Sequence, residues 1–135
     1  MTIPPERRIT LVDDDESLRR ALARTLRLAG YAVESYDSAD RLAASGVDCS
    51  AACLVLDINL PGTSGVDFRL ALAAAGQDPP TIFITALDRQ DAAAALARLH
   101  APTVLFKPFG NDELLAAVRR VIDAKGRPKS SGHAP

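Results

Sequence analysis

Six polar side chains follow apolar runs along this chain. Asp13, Asp14 and Asp15 come after residues 9–12, Asp57 after 53–56, Thr85 after 81–84 and Lys107 after 103–106. If these runs are strands of one sheet, three kinds of reactive group meet on one rim. Carboxylates brought together in a partly desolvated crevice repel, at about 4 kcal/mol per pair for ~4 Å and an effective dielectric near 20. A stable protein needs a cation there, and oxygen ligands select a hard one. Magnesium suits such a site, because it uses few protein carboxylates alongside water and phosphate oxygens. Asp57 is then the oxygen nucleophile for phosphorus. Magnesium and Lys107 neutralise charge on the phosphoryl oxygens, and the Thr85 hydroxyl donates to one of them. Each group also has a plain structural use. Asp14 or Asp15 can cap a helix, Lys107 can pair with any carboxylate, and Thr85 can end a buried strand. Taken together, the four strand ends read as a metal-assisted phosphate site.

The elements that must position these groups are legible in the apolar periodicity. Strands are expected over 8–13, 31–36, 53–57, 81–85 and 103–106, the first, third and fourth nearly continuous in Ile, Leu and Val. That composition marks parallel strands covered on both faces. Leu18, Ala21, Leu22, Thr25 and Leu26 are spaced three and four apart and predict a helix that Gly30 ends in a left-handed conformation. Ser38 predicts the cap of a short helix reaching Ala44 and stopped near Gly46, and Ser64 that of a helix closed around Gly76. Further helices are expected over 89–99, rich in alanine, and 112–124, the latter capped by Asn111. Strand and helix alternate five times, which predicts a doubly wound α/β sandwich with right-handed crossovers. In such a sheet, function concentrates at the carboxyl ends of the strands.

Composition narrows the function classes. The chain has 135 residues, enough for one domain with a real core, and 47% hydrophobic content excludes a disordered polymer. Net charge is −1, and the basic cluster lies at the chain end, so no basic face for nucleic acid is expected. Cys49 and Cys53 suggest no disulfide framework, and Cys53, at the head of an apolar run, reads as a buried thiol. His100 and His133 are the two histidines, too few for a His-rich metal cluster; His100 reads as a surface residue. No stretch approaches the ~20 apolar residues of a membrane span, and residues 1–8 lack a signal core. A cytoplasmic location without membrane attachment is the expectation.

In order and spacing, several motifs resemble those of bacterial two-component response-regulator receiver domains. They are Leu11-Val12-Asp13-Asp14-Asp15, Leu54 through Asp57 followed by Ile58-Asn59-Leu60-Pro61-Gly62, Ser64-Gly65, Ile84-Thr85-Ala86 and Lys107-Pro108-Phe109. The resemblance covers residues 8–125, with 1–7 a flexible N-terminus and 126–135 a flexible tail or truncated linker. It implies a flavodoxin-like receiver fold, a five-stranded parallel sheet in the order 2-1-3-4-5. It further implies Asp13 and Asp14 as the metal-coordinating pair, Asp57 as phosphoacceptor and metal ligand, and the Asn59 backbone carbonyl as another Mg2+ ligand. Thr85 becomes the switch hydroxyl, Lys107 the phosphate-binding ammonium, and Lys107-Pro108 a cis peptide. The implied partners are a sensor histidine kinase or a histidine phosphotransfer protein, with a homodimer forming on phosphorylation. Tyr36-Asp37-Ser38-Ala39 resembles receivers joined to LuxR-type helix-turn-helix domains, and DNA is reached only through such an output domain.

The chain departs from that pattern at Val104, where an aromatic ring is usual three residues before the lysine, and at Gly110, where an acidic cap is common. Two other functions compete. A receiver-like interaction module controlled by protein contacts alone would tolerate Val104, but the intact Asp13, Asp14, Asp57, Thr85 and Lys107 set argues against it. An aspartate-dependent phosphatase of the haloacid dehalogenase type needs a second aspartate two positions after the nucleophile, where this chain has Asn59. The expectation is a regulatory phosphoacceptor rather than an enzyme.

Overall fold

A computed structural model describes residues 4–49 and 52–126. The expected tail, with His133, falls almost entirely outside them, as do the first three residues. A short 3-10 turn at Pro5–Arg7 leads into β1 (Arg8–Val12) and α1 (Glu16–Leu28). The chain continues through β2 (Ala32–Tyr36), α2 (Ala39–Ser45), β3 (Cys53–Asp57) and α3 (Gly65–Ala74). It ends with β4 (Thr81–Thr85), α4 (Arg89–Ala95), β5 (Thr103–Phe106) and α5 (Asn111–Gly126). All strand pairs are parallel and the order is β2-β1-β3-β4-β5, as expected.

Strand alternation sends successive side chains to opposite faces and so builds two cores. Ile9, Leu11, Val55, Ile82, Ile84 and Leu105 pack with Leu22 and Leu26 of α1 and Leu114 and Val118 of α5. Val12, Leu54, Leu56 and Phe83 pack with Leu42 of α2, Val66 and Phe68 of α3, and Ala92 of α4. The sheet is therefore covered on both sides, which is why β3 is buried at every position. In α1 the buried stripe includes Ala23, whereas Ala21, expected on it, is exposed.

Four helices begin under side chains supplied by the loops that leave the strands. Asp15, Ser38, Ser64 and Asp88 accept the N–H groups of Leu18, Arg41, Asp67 and Asp91. The fifth corrects the sequence expectation. Asn111 is the first residue of α5 and its Oδ1 receives the Thr25 hydroxyl, while the Glu113 carboxylate accepts the Gly110 N–H. A carboxylate three residues on thus satisfies the backbone donor that precedes the helix. The fourth helix stops at Ala95 rather than at residue 99, because Leu96 already has a non-helical ψ of 4° and Leu99 N–H bonds to Leu96 in a tighter turn. Ala101, with φ 46°, and Pro102 then redirect the chain into β5.

Candidate functional site

The carboxyl ends of β1, β3, β4 and β5 converge on one rim. Asp13 follows β1 and donates its N–H to Tyr36 on β2; Asp57 ends β3; Thr85 ends β4; Lys107 follows β5 and donates its N–H to the Thr85 carbonyl. The parallel register fixes this meeting, since Asp57 stands beside Ile84 and Thr85 beside Phe106. Each predicted side chain sits where its strand runs out.

Asp13 is wholly buried, Asp57 is 4% exposed and Thr85 is wholly buried, whereas Asp14 and Asn59 are exposed. One ligand oxygen from each of Asp13, Asp14 and Asp57 lies within 4.8 Å of the others. The Lys107 ammonium spans two of them, 2.9 Å from Asp13 Oδ2 and 3.1 Å from Asp57 Oδ2. The remaining oxygens are aimed by backbone donors: Asp15 N–H reaches Asp13 Oδ1 at 2.9 Å, and Asn59 N–H reaches Asp57 Oδ1 at 3.1 Å. Thr85 Oγ1 accepts the Leu87 N–H at 3.0 Å, which leaves the hydroxyl proton available to an acceptor.

Burial pushes the Asp57 carboxyl above its usual range; Lys107 opposes that rise and the Asp13 charge adds to it. Burial pulls Lys107 down, but the hydrogen bonds and charges of Asp13 and Asp57 together outweigh it and hold the ammonium above its ordinary value. Two buried carboxylates facing one ammonium leave a surplus of negative charge, to which exposed Asp14 adds. A cluster of three carboxylates with all-oxygen donors fits a hard divalent cation. The Lys107-Pro108 peptide is cis.

Gly65 closes the site from below. A Cβ there would lie 2.1 Å from the Asp57 carbonyl oxygen, so only glycine lets α3 start against the strand end. The sequence carried this signal in Ser64-Gly65, but the close approach itself depends on tertiary packing. Three other partners had no sequence signal: Arg19, whose guanidinium donates to the Asp13 carbonyl, and the Asp40–Thr63 pair beside the site. Val104 faces the α2–α4 side of the sheet together with Phe106. Arg89, at the start of α4, stacks over the Phe106 ring at 4.4 Å. Cys49 and Cys53 are both buried and free, and burial pushes the Cys53 thiol up to about 12. His100 is exposed at the opposite end of the sheet, in a cleft with Arg69 and Arg98. Among the described residues, no helix is long and apolar enough to cross a membrane.

The family model for the response regulator receiver domain matches residues 9–119. Nodulation protein W of Bradyrhizobium diazoefficiens is 37% identical over 110 residues, which are 82% of this chain and 48% of that protein. The transcriptional regulatory protein FixJ of Azorhizobium caulinodans is 32% identical over 87% of this chain and 56% of its own length. The chain thus spans about half the length of these curated relatives. Among solved structures, FixJ-N superposes with a TM-score of 0.76 at 28% identity, covering 91% of this chain and 96% of that one. The response regulator StyR gives 0.73 at 34% identity, covering 87% of this chain and 59% of that one.

Proposed function

The chain belongs to the response regulator receiver family, whose members serve phosphorylation-dependent signalling, and on that premise we propose that Asp57 is its phosphoacceptor. The observation that carries this reading is the Lys107 ammonium set between buried Asp13 and Asp57, with the Asp14 carboxylate close by. A receiver is a regulatory phosphoacceptor and not an enzyme in the usual sense. Its donor in this proposal is a sensor histidine kinase or a histidine phosphotransfer protein.

Asp13, Asp14, Asp57 and the backbone carbonyl of Asn59 are the proposed magnesium ligands. A bound magnesium ion supplies positive charge against the oxygens of the transferring phosphoryl group. An Asp57 oxygen bonds to phosphorus as the donor's phosphorus–nitrogen bond breaks, so the carboxylate must be ionised when the donor arrives. Its second oxygen is held by Lys107 or by the Asn59 N–H, which fixes the attacking geometry. Lys107 then exchanges a carboxylate oxygen for a phosphoryl oxygen, and the Thr85 hydroxyl donates to another.

The phosphoryl group adds about two negative charges and three acceptor oxygens. Driving a two-state element from 1:99 to 99:1 takes about 5.5 kcal/mol, and charge-assisted bonds at ~1.5–3 kcal/mol each reach that sum with two or three partners. Thr85 is one end of this element: moving its hydroxyl releases Leu87 N–H and the loop that leads to α4. The changed surface would serve a partner or a second copy of the chain. The Tyr36-Asp37-Ser38-Ala39 stretch and the likeness to FixJ support an output domain of the LuxR type, through which alone DNA would be reached. A receiver body over 8–125, acting in the cytoplasm, completes the proposal.

Intact mass after treatment with a small phosphodonor and magnesium tests it. The parent gains one phosphoryl mass that is lost on base treatment, and Asp57→Asn gains none. Equal labelling of the two proteins would remove Asp57 from its role.

A further inference from the structure

The loop between β3 and α3 carries Asn59, whose N–H bonds to Asp57 Oδ1 at 3.1 Å, so its placement bears on anything that happens at that carboxylate. Its base is fixed by the chain itself: Gly65 N–H bonds to the Ile58 carbonyl at 2.9 Å, and Leu60 is buried in the core beneath. Its tip is held from outside. Asp40, in the first turn of α2, accepts the Thr63 hydroxyl on Oδ1 at 2.7 Å and faces the Thr63 N–H with Oδ2 at 3.4 Å. At Gly62, with φ 75°, a Cβ would lie 2.2 Å from Asp40 Oδ2, so the loop backbone lies directly against the carboxylate. Three consecutive features of the tip thus meet one side chain from a different element. Asp14 lines the same open crevice as Asp40, Pro61 and Gly62, so the contact stands at the mouth of the acidic site.

We infer that Asp40 is a positioning residue for the chemistry at Asp57: through Thr63 and Gly62 it latches the β3–α3 loop and so sets where Asn59 stands. The inference rests on the reading of Asp57 as phosphoacceptor. A latched loop keeps the Asn59 carbonyl in reach of a metal and keeps its N–H on Asp57 Oδ1, so that the turn over the carboxylate stays closed to water. A released loop gives up both. Asp40 touches neither the reacting atoms nor the phosphoryl group, and its own charge is a separate influence on the crevice, which the choice of variants separates.

The experiment compares Asp40→Ala, Asp40→Asn, Thr63→Val and Thr63→Ser in the full chain. An asparagine keeps the acceptor for the Thr63 hydroxyl without the charge but gives up the second oxygen that faces the Thr63 N–H, and a serine keeps the hydroxyl. Amide hydrogen exchange over residues 59–63, magnesium affinity and the lifetime of the phosphoryl group are measured for each. Asp40→Ala and Thr63→Val are expected to exchange about three- to tenfold faster, the range for one lost hydrogen bond, with weaker magnesium binding and a shorter phosphoryl lifetime. Thr63→Ser stays close to the parent, and Asp40→Asn falls between the parent and Asp40→Ala. Unchanged exchange in both disruptive variants overturns the latch. Faster exchange with unchanged magnesium affinity and lifetime overturns its bearing on the site. If Asp40→Asn matches Asp40→Ala while Thr63→Val matches the parent, charge and not the latch is responsible, and the inference fails. A parent that takes no phosphate sinks the phosphoacceptor reading instead, and exchange and magnesium affinity still decide the latch.

Discussion

Lys107 reaches two carboxylates at once, and its side chain, 18% exposed, has little water to fall back on. Removing it leaves Asp13 and Asp57 facing each other without compensation. Lys107→Ala is expected to cost about 3 kcal/mol in metal-free buffer, the scale for breaking a buried ion pair from one side. Urea unfolding measures this, and added magnesium should return part of the loss by supplying the missing positive charge. Asp57 behaves in the opposite sense, because burial raises its pKa in the fold. A carboxyl raised in this way favours the folded state while protonated, and that advantage is lost as pH rises through the raised value. Asp57→Asn cannot ionise, so in metal-free buffer it should be more stable than the parent at neutral pH. The two should converge as pH falls to about 4, the ordinary carboxylate range. Equal unfolding midpoints at neutral pH would show that Lys107 fully offsets the burial of this charge.

Where the residues stand is decided by how strands hand over to helices. Asp15 and Asp88 cap helices two and three residues past Asp13 and Thr85, Ser64 caps one seven residues past Asp57, and Asp13 and Asp57 use their Oδ1 oxygens to fold the turns that follow them. The same loops therefore start the helices and aim the acidic groups. This double use leaves little tolerance in the backbone. Gly65→Ala pushes a methyl carbon into the Asp57 carbonyl and is expected to destabilise by about 2 kcal/mol or more, by overpacking. A denaturant midpoint close to the parent's would mean that α3 can back away from β3. At α4 the end of the helix came from its surroundings. The alanine-rich run continues the helical pattern past Ala95, yet Leu96 is buried in the α2–α4 core and the chain turns there toward β5. Propensity favoured a longer helix, and packing stopped it.

The whole molecule depends on one sheet with a core on each face. β3 supplies both, Val55 to one and Leu54 and Leu56 to the other, and its last residue is Asp57. Stability and site thus share a strand. Leu56→Ala, at a fully buried position, should cost about 2–5 kcal/mol and shift a single cooperative urea transition without splitting it. Two separate transitions would show that the faces unfold independently. The matched stretch makes up 48% and 56% of two curated relatives, so the receiver is one part of those proteins.

The sequence by itself marked five strands, five helices and the strand-end residues Asp13, Asp14, Asp57, Thr85 and Lys107, while the order of the strands came from the resemblance to receivers. Apolar runs that stop at a charged or hydroxyl residue mark strand ends directly, and continuous Ile, Leu and Val demand helices on both sides. The helix begins at Asn111 itself rather than after it: Glu113 accepts the Gly110 N–H, and the Asn111 amide oxygen takes the Thr25 hydroxyl from α1 in place of a backbone N–H, a partner that local sequence does not show. Only the tertiary structure decided that one ammonium serves Asp13 and Asp57 together. Their separations of 94 and 50 residues from Lys107 disappear only when the sheet sets their strands side by side. The Asp40–Thr63 contact and the seat of Arg89 on Phe106 also became visible only there, for the same reason: each joins side chains from different elements, which periodicity along one strand or helix does not encode.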